Sequence, residues 1–356
     1  MSYQVLQQIR REVAAGAVTE SALGELSIFK YSADCVWDGM WNDVVKRCRG
    51  IVLNTATGKI VARPFDKFFN INERPDTNVH LLEKKAKSQK MVATKKLDGS
   101  MCSIWFYNGA WHCSTPGGLT SPQAQHAAGL LLGKYNLSKL PTDITFVCEL
   151  LCPWDRKDKV VDYGDRDELV LLAAFENKWD LTEVPRQRLE TLATGTGLQL
   201  VDVYPLDEED PWSTPIPVGE EGFVVRFEDG FRIKIKSRWY MHWHRLLSQV
   251  SYKHLIELLE GGGDPKTVLS KDAPPHAKAA LDDILSHILT LKENIEREVD
   301  EWWLKAEDTT DFKACAELFR QAGSIQHLLF ARMREHEIGY QKGLYKLIRL
   351  QVKEEQ

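Results

Sequence analysis

Residues 221–236 constrain the fold strongly, because apolar and charged side chains alternate on both sides of an Asp-Gly pair. Asp229 and Gly230 form a dipeptide typical of two-residue β-hairpin turns. Such a turn would place on one face Glu221, Phe223, Val225, Arg232, Lys234 and Lys236. One carboxylate and two or three cations above an apolar floor indicate a pocket for an anion. A three-residue turn would break this registration, and an amphipathic hairpin with its charges in water is the alternative interpretation.

A lysine followed by a turn stands at the end of another predicted strand. Residues 91–96 form that strand, and Lys96 is followed closely by the turn sequence Asp98-Gly99. Residues 100–114 then form a hairpin around Asn108-Gly109, the strongest short turn signal available. Two strands joined by a turn hold a side chain rigidly, which suits a nucleophile. A solvated lysine beside an ordinary turn is the other interpretation.

A single carboxylate interrupts the apolar run 144–151, which predicts a strand. Glu149 would cost free energy inside such a strand unless a cation or hydrogen-bond donor paired with it. The alternative is that Glu149 lies on the solvated face of an edge strand. Residues 169–175 are nearly all apolar and predict a further strand in the core.

The N-terminal region predicts a helix and a hairpin. Val5, Leu6, Ile9 and Val13 recur at helical spacing, and residues 50–63 form a predicted hairpin with its turn at residues 54–58. Arg49 and Lys67 lie on either side of this hairpin, after a loop that contains Trp37 and Trp41. Local sequence allows both cations to be ordinary surface charges or parts of a site.

Beyond residue 245 the periodicity becomes helical. A long helix is predicted from Pro275, with a seven-residue repeat formed by Leu281, Ile288, Ile295 and Trp302. Further helices are predicted over residues 311–322, 324–337 and 343–352. The repeat is short, so it favours packing within the chain over a dimeric coiled coil. The sequence thus predicts an α+β fold in which a domain of antiparallel sheets and helices, residues 1–245, precedes a smaller all-α domain, residues 246–356.

Composition excludes several classes of protein. The formal net charge of −5 over 356 residues argues against a uniformly basic nucleic-acid coat, so a polyanion would need a local basic patch. The seven cysteines include no Cys-x-x-Cys pair, which predicts reduced, mostly buried thiols without a zinc site or a disulfide framework. No apolar run reaches the ~18 residues of a membrane span, and the first residues do not form a signal peptide. We therefore expect a cytoplasmic protein, in the host cytoplasm if a phage encodes it.

Five segments occur in the order found in covalent nucleotidyltransferases, the superfamily of polynucleotide ligases and RNA capping enzymes. They are Lys96-Leu97-Asp98-Gly99-Ser100, Phe146-Val147-Cys148-Glu149, residues 169–175, Glu221-Gly222-Phe223-Val224 and Lys234-Ile235-Lys236-Ser237. Three more segments resemble the T4 RNA ligase 1 type of ATP-dependent RNA ligase: Cys48-Arg49-Gly50-Ile51-Val52, Lys67-Phe68-Phe69-Asn70 and residues 236–240. The resemblance covers about residues 25–245.

This resemblance implies roles for individual residues. Lys96 would become adenylated, Glu149 would contact the ribose, and Glu221 would organise a metal ion and the lysine. Lys234 and Lys236 would hold the α-phosphate. The implied nucleotide-binding set is Arg49, Lys67, Lys95, Lys96, Gly99, Glu149, Glu221, Lys234, Lys236 and Tyr240. The nucleophile must be a neutral amine, which burial and neighbouring cations would favour. ATP and Mg²⁺ or Mn²⁺ are the expected co-substrate and metal.

The implied activity is the joining of RNA 5′-phosphate and 3′-hydroxyl ends through a lysyl-AMP and an RNA-adenylate. Single-stranded or tRNA-like RNA, including broken anticodon loops, would be the substrate, and a separate kinase and phosphatase could prepare the ends. We expect a monomer without membrane contact. The alternatives are a ligase for nicked duplexes, which the lack of OB-like strands after residue 236 disfavours, and a non-catalytic nucleotide-binding RNA sensor or scaffold. A protein-modifying AMP transferase is a further possibility.

Three features depart from the family pattern or extend it. Pro116 stands where many relatives carry a lysine, which puts one phosphate contact in doubt. Asp155 stands where an asparagine is expected, in a segment, 153–157, that looks expanded. The helical C-terminal region resembles a tRNA-selecting domain, and its candidate phosphate contacts are Arg332, Arg334, Lys342, Lys346 and Arg349. A solvated helix face is the alternative for these five.

Overall fold

Sheets and helices alternate through the first of two units into which the chain divides, Met1–Met241 and His242–Gln356. The structure is a computed structural model that describes residues 2–155, 159–247, 251–269, 273–307 and 311–354. Its helices and sheets have the mixed α+β composition that the sequence predicts. Within the described residues, no helix is both long enough and apolar enough to cross a bilayer.

The strands are β1 (Val18–Leu23), β2 (Leu26–Tyr31), β3 (Arg49–Asn54), β4 (Ile60–Ala62), β5 (Phe69–Asn70), β6 (Met91–Lys96), β7 (Ser100–Tyr107), β8 (Ala110–Ser114), β9 (Ile144–Leu151), β10 (Glu168–Glu176), β11 (Gln199–Leu200), β12 (Gly222–Phe227) and β13 (Arg232–Lys236). The helices that accompany them are α1 (Ser2–Ala14), α2 (Ala33–Asp38), α3 (Asp43–Arg47), α4 (Val79–Ala86), α5 (Pro122–Lys134), α6 (Arg186–Thr196) and α7 (Arg238–Leu247).

The first sheet is antiparallel, with the order β1-β2-β3-β4. Helix α1 buries Leu6 and Ile9 in a cluster with Phe29 and Ile51, as its apolar spacing predicts. The predicted hairpin over residues 50–63 is confirmed as the pair β3 and β4. Its role is to carry Arg49 at the start of β3.

The second sheet has the order β11-β10-β9-β7-β8 and places β9 in its middle. Strand β9 pairs with β10 on one side and with β7 on the other. Glu149 therefore lies on a central strand, and the alternative of a solvated edge strand is wrong. The apolar side chains of this sheet form a core with helices α5 and α6 that includes Cys102, Ile104, Phe146, Cys148, Leu150, Leu169 and Leu171.

The third sheet has the order β5-β13-β12-β6 and corrects one prediction. Gly222 pairs with Lys236 and Arg226 with Arg232, so the turn contains three residues, 228–230, instead of two. Gly230, at φ +86°, takes the left-handed position that closes such a loop. The predicted face is therefore wrong for Phe223 and Val225, which lie in the core beneath the sheet.

The corrected register gives the opposite face of the third sheet a different composition. Arg232, Lys234 and Lys236 share that face with Val224 and Arg226, because side chains alternate along each strand. The predicted cations thus remain together, and Arg226 joins them. Val224 and Arg226 thus occupy this face, where a two-residue turn would have placed Phe223 and Val225.

The described part of the second unit is helical, with α8 (Tyr252–Glu260), α9 (Pro275–Glu307), α10 (Phe312–Arg320), α11 (Gln326–Met333) and α12 (Glu337–Glu354). Leu281, Ile288 and Ile295 of the seven-residue repeat are buried along α9. The last helix begins at Glu337, six residues earlier than predicted, since the segment before Gly343 continues the same helix. Five of the seven cysteines are buried, in agreement with the expectation that most of them would be.

Candidate functional site

The candidate nucleophile Lys96 ends β6, where the chain turns towards the central sheet. The turn needs Gly99, because a Cβ there would lie 2.4 Å from the carbonyl oxygen of Leu150 and 2.8 Å from Cγ of Glu149. This close approach lets the Gly99 amide donate a hydrogen bond of 3.1 Å to Oε1 of Glu149. Gly99 therefore brings the segment that contains Lys96 against β9, the strand that carries Glu149.

Glu221 joins two of the predicted lysines. Its carboxylate lies 2.7 Å from Nζ of Lys96 through Oε2 and 3.0 Å from Nζ of Lys236 through Oε1. Only 1% of the Glu221 side chain is exposed, so these pairs are poorly screened by solvent. The adjacent Gly222 is required by packing, since a Cβ would lie 2.0 Å from the carbonyl oxygen of Ile235. The Glu221-Gly222 motif thus places a carboxylate between a lysine of β6 and a lysine of β13.

Lys234 lies two residues before Lys236 on the same face of β13, without a carboxylate ion pair among the described residues. Burial is the largest cause that lowers the pKa of Lys234, and together with the positive charges of Lys67, Arg49, Lys96 and Lys236 it brings the pKa to about 7. Lys234 therefore changes its charge near neutral pH. An approaching phosphate would favour the charged form.

Glu149 is the carboxylate that faces this group of cations from β9. Its pKa is raised to about 7, chiefly by burial and in part by the charge of Glu221, against the opposing effect of Lys96. Its Oε1 already accepts a hydrogen bond from Gly99. Glu149 can thus present either a hydrogen-bond acceptor or, when protonated, a hydroxyl donor to a ligand.

Arg49 is partly buried near these residues, with its guanidinium 5.1 Å from the ring centre of Phe68. Its Nη1 atom is buried and has no hydrogen-bond partner among the described residues. Burial lowers the pKa of Arg49, although the arginine remains a cation because its ordinary value is so high. A buried donor without a partner is costly, and an anionic ligand would satisfy it.

A cavity of about 580 Å³ opens onto these groups. Its charged lining consists of Arg49, Lys95, Lys96, Arg186, Arg226, Arg232, Lys234, Lys236, Glu149 and Glu183. Apolar walls come from residues that include Phe65, Phe68, Met101, Leu172 and Val224. Eight cations against two carboxylates make the cavity suited to a polyanion with a flat apolar part. Gly99 also lines it, whereas Lys95 forms an ion pair of 3.2 Å with Glu220.

Three predicted nucleotide-binding residues contribute from outside this lining. Glu221 acts on Lys96 and Lys236 as described, and Lys67 lines a neighbouring cavity of about 180 Å³ together with Phe65 and Phe68. The hydroxyl of Tyr240 donates a hydrogen bond of 3.0 Å to Asp98. Tyr240 also lies against Lys236, whose Nζ is 4.7 Å from the ring centre. Tyr240 therefore holds both Asp98, in the turn after Lys96, and the side chain of Lys236.

Asp98 is a site residue whose structural role the sequence analysis missed. It is only 7% exposed, and its Oδ2 accepts hydrogen bonds from the amides of Val160 and Val161, at 2.6 and 3.1 Å. Its Oδ1 accepts the Tyr240 hydroxyl. Asp98 thus fixes the turn after Lys96 to two distant segments. The Asp-Gly turn signal pointed to the position without indicating these long-range bonds.

A second carboxylate bridge was also missed. Glu183 forms ion pairs with both Arg226 and Arg232, whose positions in the sequence are 43 and 49 residues away. Arg232 also donates to the carbonyl oxygen of Gly230 and lies 5.1 Å from the ring centre of Phe65. No local pattern marks Glu183, because its partners come from another sheet.

The two departures from the family pattern occupy defined places. A Cβ on Gly50 would lie 3.4 Å from Cα of Pro116, so the proline backbone packs against the start of β3. Asp155 accepts hydrogen bonds from Ser100 at 2.6 Å and from Gln123 at 3.1 Å. Arg156 and Lys157, in the segment that looked expanded, lie outside the described residues.

The candidate phosphate contacts of the second unit fall into two groups. Arg332 forms an ion pair with Asp300, and Arg349 forms one with Glu260. The remaining three, Arg334, Lys342 and Lys346, are exposed. Arg332 and Arg349 are thus each paired with a carboxylate of the same unit.

Comparison with known proteins identifies the family to which this chain belongs. The family model described as RNA ligase, of the T4 RNA ligase 1 type, matches residues 47–240. A protein of Thermovibrio ammonificans whose name proposes an RNA ligase is 26% identical over 263 residues, which are 71% of this chain and 65% of that protein. A protein of Autographa californica nuclear polyhedrosis virus whose name proposes a bifunctional polynucleotide kinase/RNA ligase is 40% identical over 80 residues, which are 21% of this chain and 11% of that protein.

Among solved structures, an archaeal ATP-dependent RNA ligase is similar with a TM-score of 0.48 and 14% identity, covering 82% of this chain and 83% of that one. This chain spans less than two thirds of the length of each of these two relatives.

Proposed function

The chain belongs to the RNA ligase family, and on that premise we propose that it joins RNA ends in an ATP-dependent reaction with Lys96 as the nucleophile. The observation that carries the proposal is the Glu221 carboxylate held between Nζ of Lys96 and Nζ of Lys236, at the edge of a cavity rich in cations. A nucleophilic lysine, a counter-ion and phosphate-binding cations thereby occupy one place.

In the first step, the electron pair of the neutral Lys96 amine would form a bond to the α-phosphorus of ATP. The bond from that phosphorus to the bridging oxygen breaks, pyrophosphate leaves with the electron pair, and the amine proton passes to solvent. Lys234 and Lys236 would neutralise charge on the α-phosphate, while Arg49 and Lys67 would serve the leaving pyrophosphate. Phosphoryl transfer needs chiefly such alignment and charge neutralisation.

Two further transfers would complete the cycle in the same pocket. An RNA 5′-phosphate oxygen attacks the phosphorus of the lysyl-AMP, which restores the Lys96 amine and gives an RNA-adenylate. An RNA 3′-hydroxyl then attacks the 5′-phosphorus, so that a phosphodiester forms and AMP leaves. Glu149 would bind the ribose of the adenylate throughout, as an acceptor beside the Gly99 amide.

The residues present suit a divalent metal ion that is held mainly by phosphates. Within the described residues, no group of three or more His, Cys, Asp or Glu side chains could hold a metal ion by itself. Mg²⁺ commonly uses one or two carboxylates together with substrate phosphates, and Glu221 would be the carboxylate that this chain contributes. Such an ion would supply neutralisation of the triphosphate charge.

We further propose that the substrate is single-stranded or tRNA-like RNA. The exposed Arg334, Lys342 and Lys346 of the helical unit would contribute phosphate contacts. A measurement of salt dependence tests this part, because each lost phosphate contact lowers the slope of log affinity against log salt by about one. The triple alanine variant should therefore bind a tRNA stem-loop with a weaker salt dependence.

The decisive experiment is incubation of the purified protein with α-labelled ATP and Mg²⁺, followed by addition of 5′-phosphorylated single-stranded RNA. We expect an acid-labile label on the wild type and none on Lys96→Ala. The added RNA should remove the label and become circular or joined.

Other outcomes select between the alternatives. Discharge of the label only by a nicked duplex would favour a duplex ligase. Nucleotide and RNA binding without a label would favour a non-catalytic sensor, and a label retained by Lys96→Ala would contradict the proposed nucleophile.

A further inference from the structure

Lys67 is surrounded by aromatic rings. Its Nζ lies 5.2 Å from the ring centre of Tyr31, 5.4 Å from that of Trp41 and 5.4 Å from that of Phe69. The rings also support one another: Trp41 contacts Tyr31 edge to face at 5.0 Å and Phe69 at 5.2 Å. We call Tyr31, Trp41 and Phe69 the aromatic cage of Lys67.

The cage is composed of rings from distant parts of the chain. Tyr31 ends β2, Trp41 precedes α3, and Phe69 begins β5, whose pairing with β13 brings it to Ile233. Three elements thus converge on one ammonium group. Among the described residues, no carboxylate forms an ion pair with Lys67. This contrasts with Lys96 and Lys236, which share Glu221.

The physical consequence concerns the charge of Lys67. A carboxylate partner would hold the ammonium group but would neutralise it and compete with an incoming phosphate. The faces of aromatic rings attract a cation through their quadrupole and leave its net charge available. Lys67 therefore combines a fixed position with an uncompensated positive charge.

That charge acts on the nucleotide cavity. Phe68, the next residue, lines the cavity and contacts Arg49 and Lys234. Among the charges that lower the pKa of Lys234, that of Lys67 has the largest effect. Lys67 is thus close enough to influence the residue that faces the phosphates.

We propose that Tyr31, Trp41 and Phe69 are positioning residues that hold Lys67 for the pyrophosphate leaving group, so that they serve lysine adenylation and not the later sealing step. This inference rests on the proposed function above, because it assigns a task within that reaction. Only the first step contains a triphosphate. The attack of a 3′-hydroxyl on an RNA-adenylate involves no pyrophosphate and gains nothing from the cage.

The test compares two reactions in Trp41→Leu: formation of the lysyl-AMP from ATP, and sealing of chemically pre-adenylated RNA without ATP. We expect the KM for ATP in adenylation to rise about tenfold, since loss of ~1.4 kcal/mol of positioning is a factor of ten. Sealing of pre-adenylated RNA should stay within about twofold. The matched control is Trp37→Leu, because Trp37 is 90% exposed and outside the cage.

A double-mutant cycle separates positioning from general damage. In a Lys67→Ala background, Trp41→Leu should have no additional effect on the KM for ATP, because the group it positions is gone. Tyr31→Leu repeats the test if Trp41→Leu fails to fold. Equal losses in adenylation and in sealing would overturn the proposal, as would an undiminished effect in the Lys67→Ala background. Absence of adenylation by the wild type would instead contradict the proposed function itself.

Discussion

Two carboxylates in the first unit each join a cation of β13 to a second cation, and their partners differ in kind. Glu221 joins Lys236 to Lys96, while Glu183 joins Arg232 to Arg226. Lys236 and Arg232 are four residues apart on one strand, or about 13 Å. One strand thus carries two similar bridges, of which one contains the candidate nucleophile.

The difference in partners separates reactive groups from supporting ones. A lysine amine can lose its proton and attack phosphorus, whereas a guanidinium stays charged and forms fixed, planar hydrogen bonds. Arg232 is fully occupied by Glu183, the Gly230 carbonyl group and the Phe65 ring. We infer that the Glu221 bridge serves the chemistry and that the Glu183 bridge holds the wall of the cavity.

The largest effect should come from Glu221→Gln. Two partly buried lysines would lose their shared anion, and Lys96 would no longer be held in line, so the rate of adenylation should fall about 100- to 1000-fold. Single-turnover formation of the labelled adduct measures it. Glu220→Gln is the matched control, because the side chain of its partner Lys95 is 39% exposed, and it should change the rate less than about threefold. Similar losses in both variants would show that Glu221 has no special role.

The corresponding change at the other bridge, Glu183→Gln, should act on stability. Removing one member of a buried ion pair leaves charges without a partner, and we expect the free energy of unfolding to fall by about 3 kcal/mol. Adenylation by the folded variant should stay within about fivefold of wild type. Urea unfolding and the adenylation assay measure the two quantities. A large loss of adenylation at unchanged stability would show that Glu183 acts on the nucleotide, and the two carboxylates would then not differ in role.

The pH dependence of stability at Lys234 provides another test of this comparison. Lys234 lies on β13 between Arg232 and Lys236, without a carboxylate partner among the described residues. Its pKa is about 7 in the folded protein and near its ordinary value of 10.5 after unfolding. Between these values the unfolded chain binds more protons, so this residue makes stability rise as pH increases from 7 towards 10.5. Below pH 7 its burial as a cation is a constant cost.

We therefore expect Lys234→Met to be more stable than wild type at pH 6 and to lose that advantage at higher pH. The difference in unfolding free energy should shrink by about 2.7 kcal/mol between pH 6 and pH 9. Urea unfolding of both proteins at several pH values measures it. The surface variant Lys178→Met controls for the loss of a lysine, since Lys178 is two-thirds exposed. A pH-independent difference would mean that Lys234 is charged throughout this range.

Local patterns predicted the strands that carry this site but not their contacts. Turn dipeptides and alternation act over a few residues, so β6, β7 and β9 were predictable from sequence. The register of β12 and β13 was not, because two-residue and three-residue loops can share the Asp-Gly signal. The Glu183 bridge and the hydrogen bonds of Asp98 join segments tens of residues apart, which no local pattern encodes.

The smallest effect is expected at Arg226, the more exposed partner of Glu183. Its side chain is 37% exposed, whereas that of Arg232 is 7% exposed, so water already screens the Arg226 pair. Arg226→Lys keeps the positive charge and loses only the fork geometry, and we expect a loss of less than about 1 kcal/mol in unfolding free energy. Arg232→Lys is the buried counterpart and should lose about 2 kcal/mol or more, because its guanidinium also bonds a carbonyl group and packs on a ring. Urea unfolding of the two variants side by side measures this ordering, and the reverse ordering would show that the bridge depends on its solvent-facing arm.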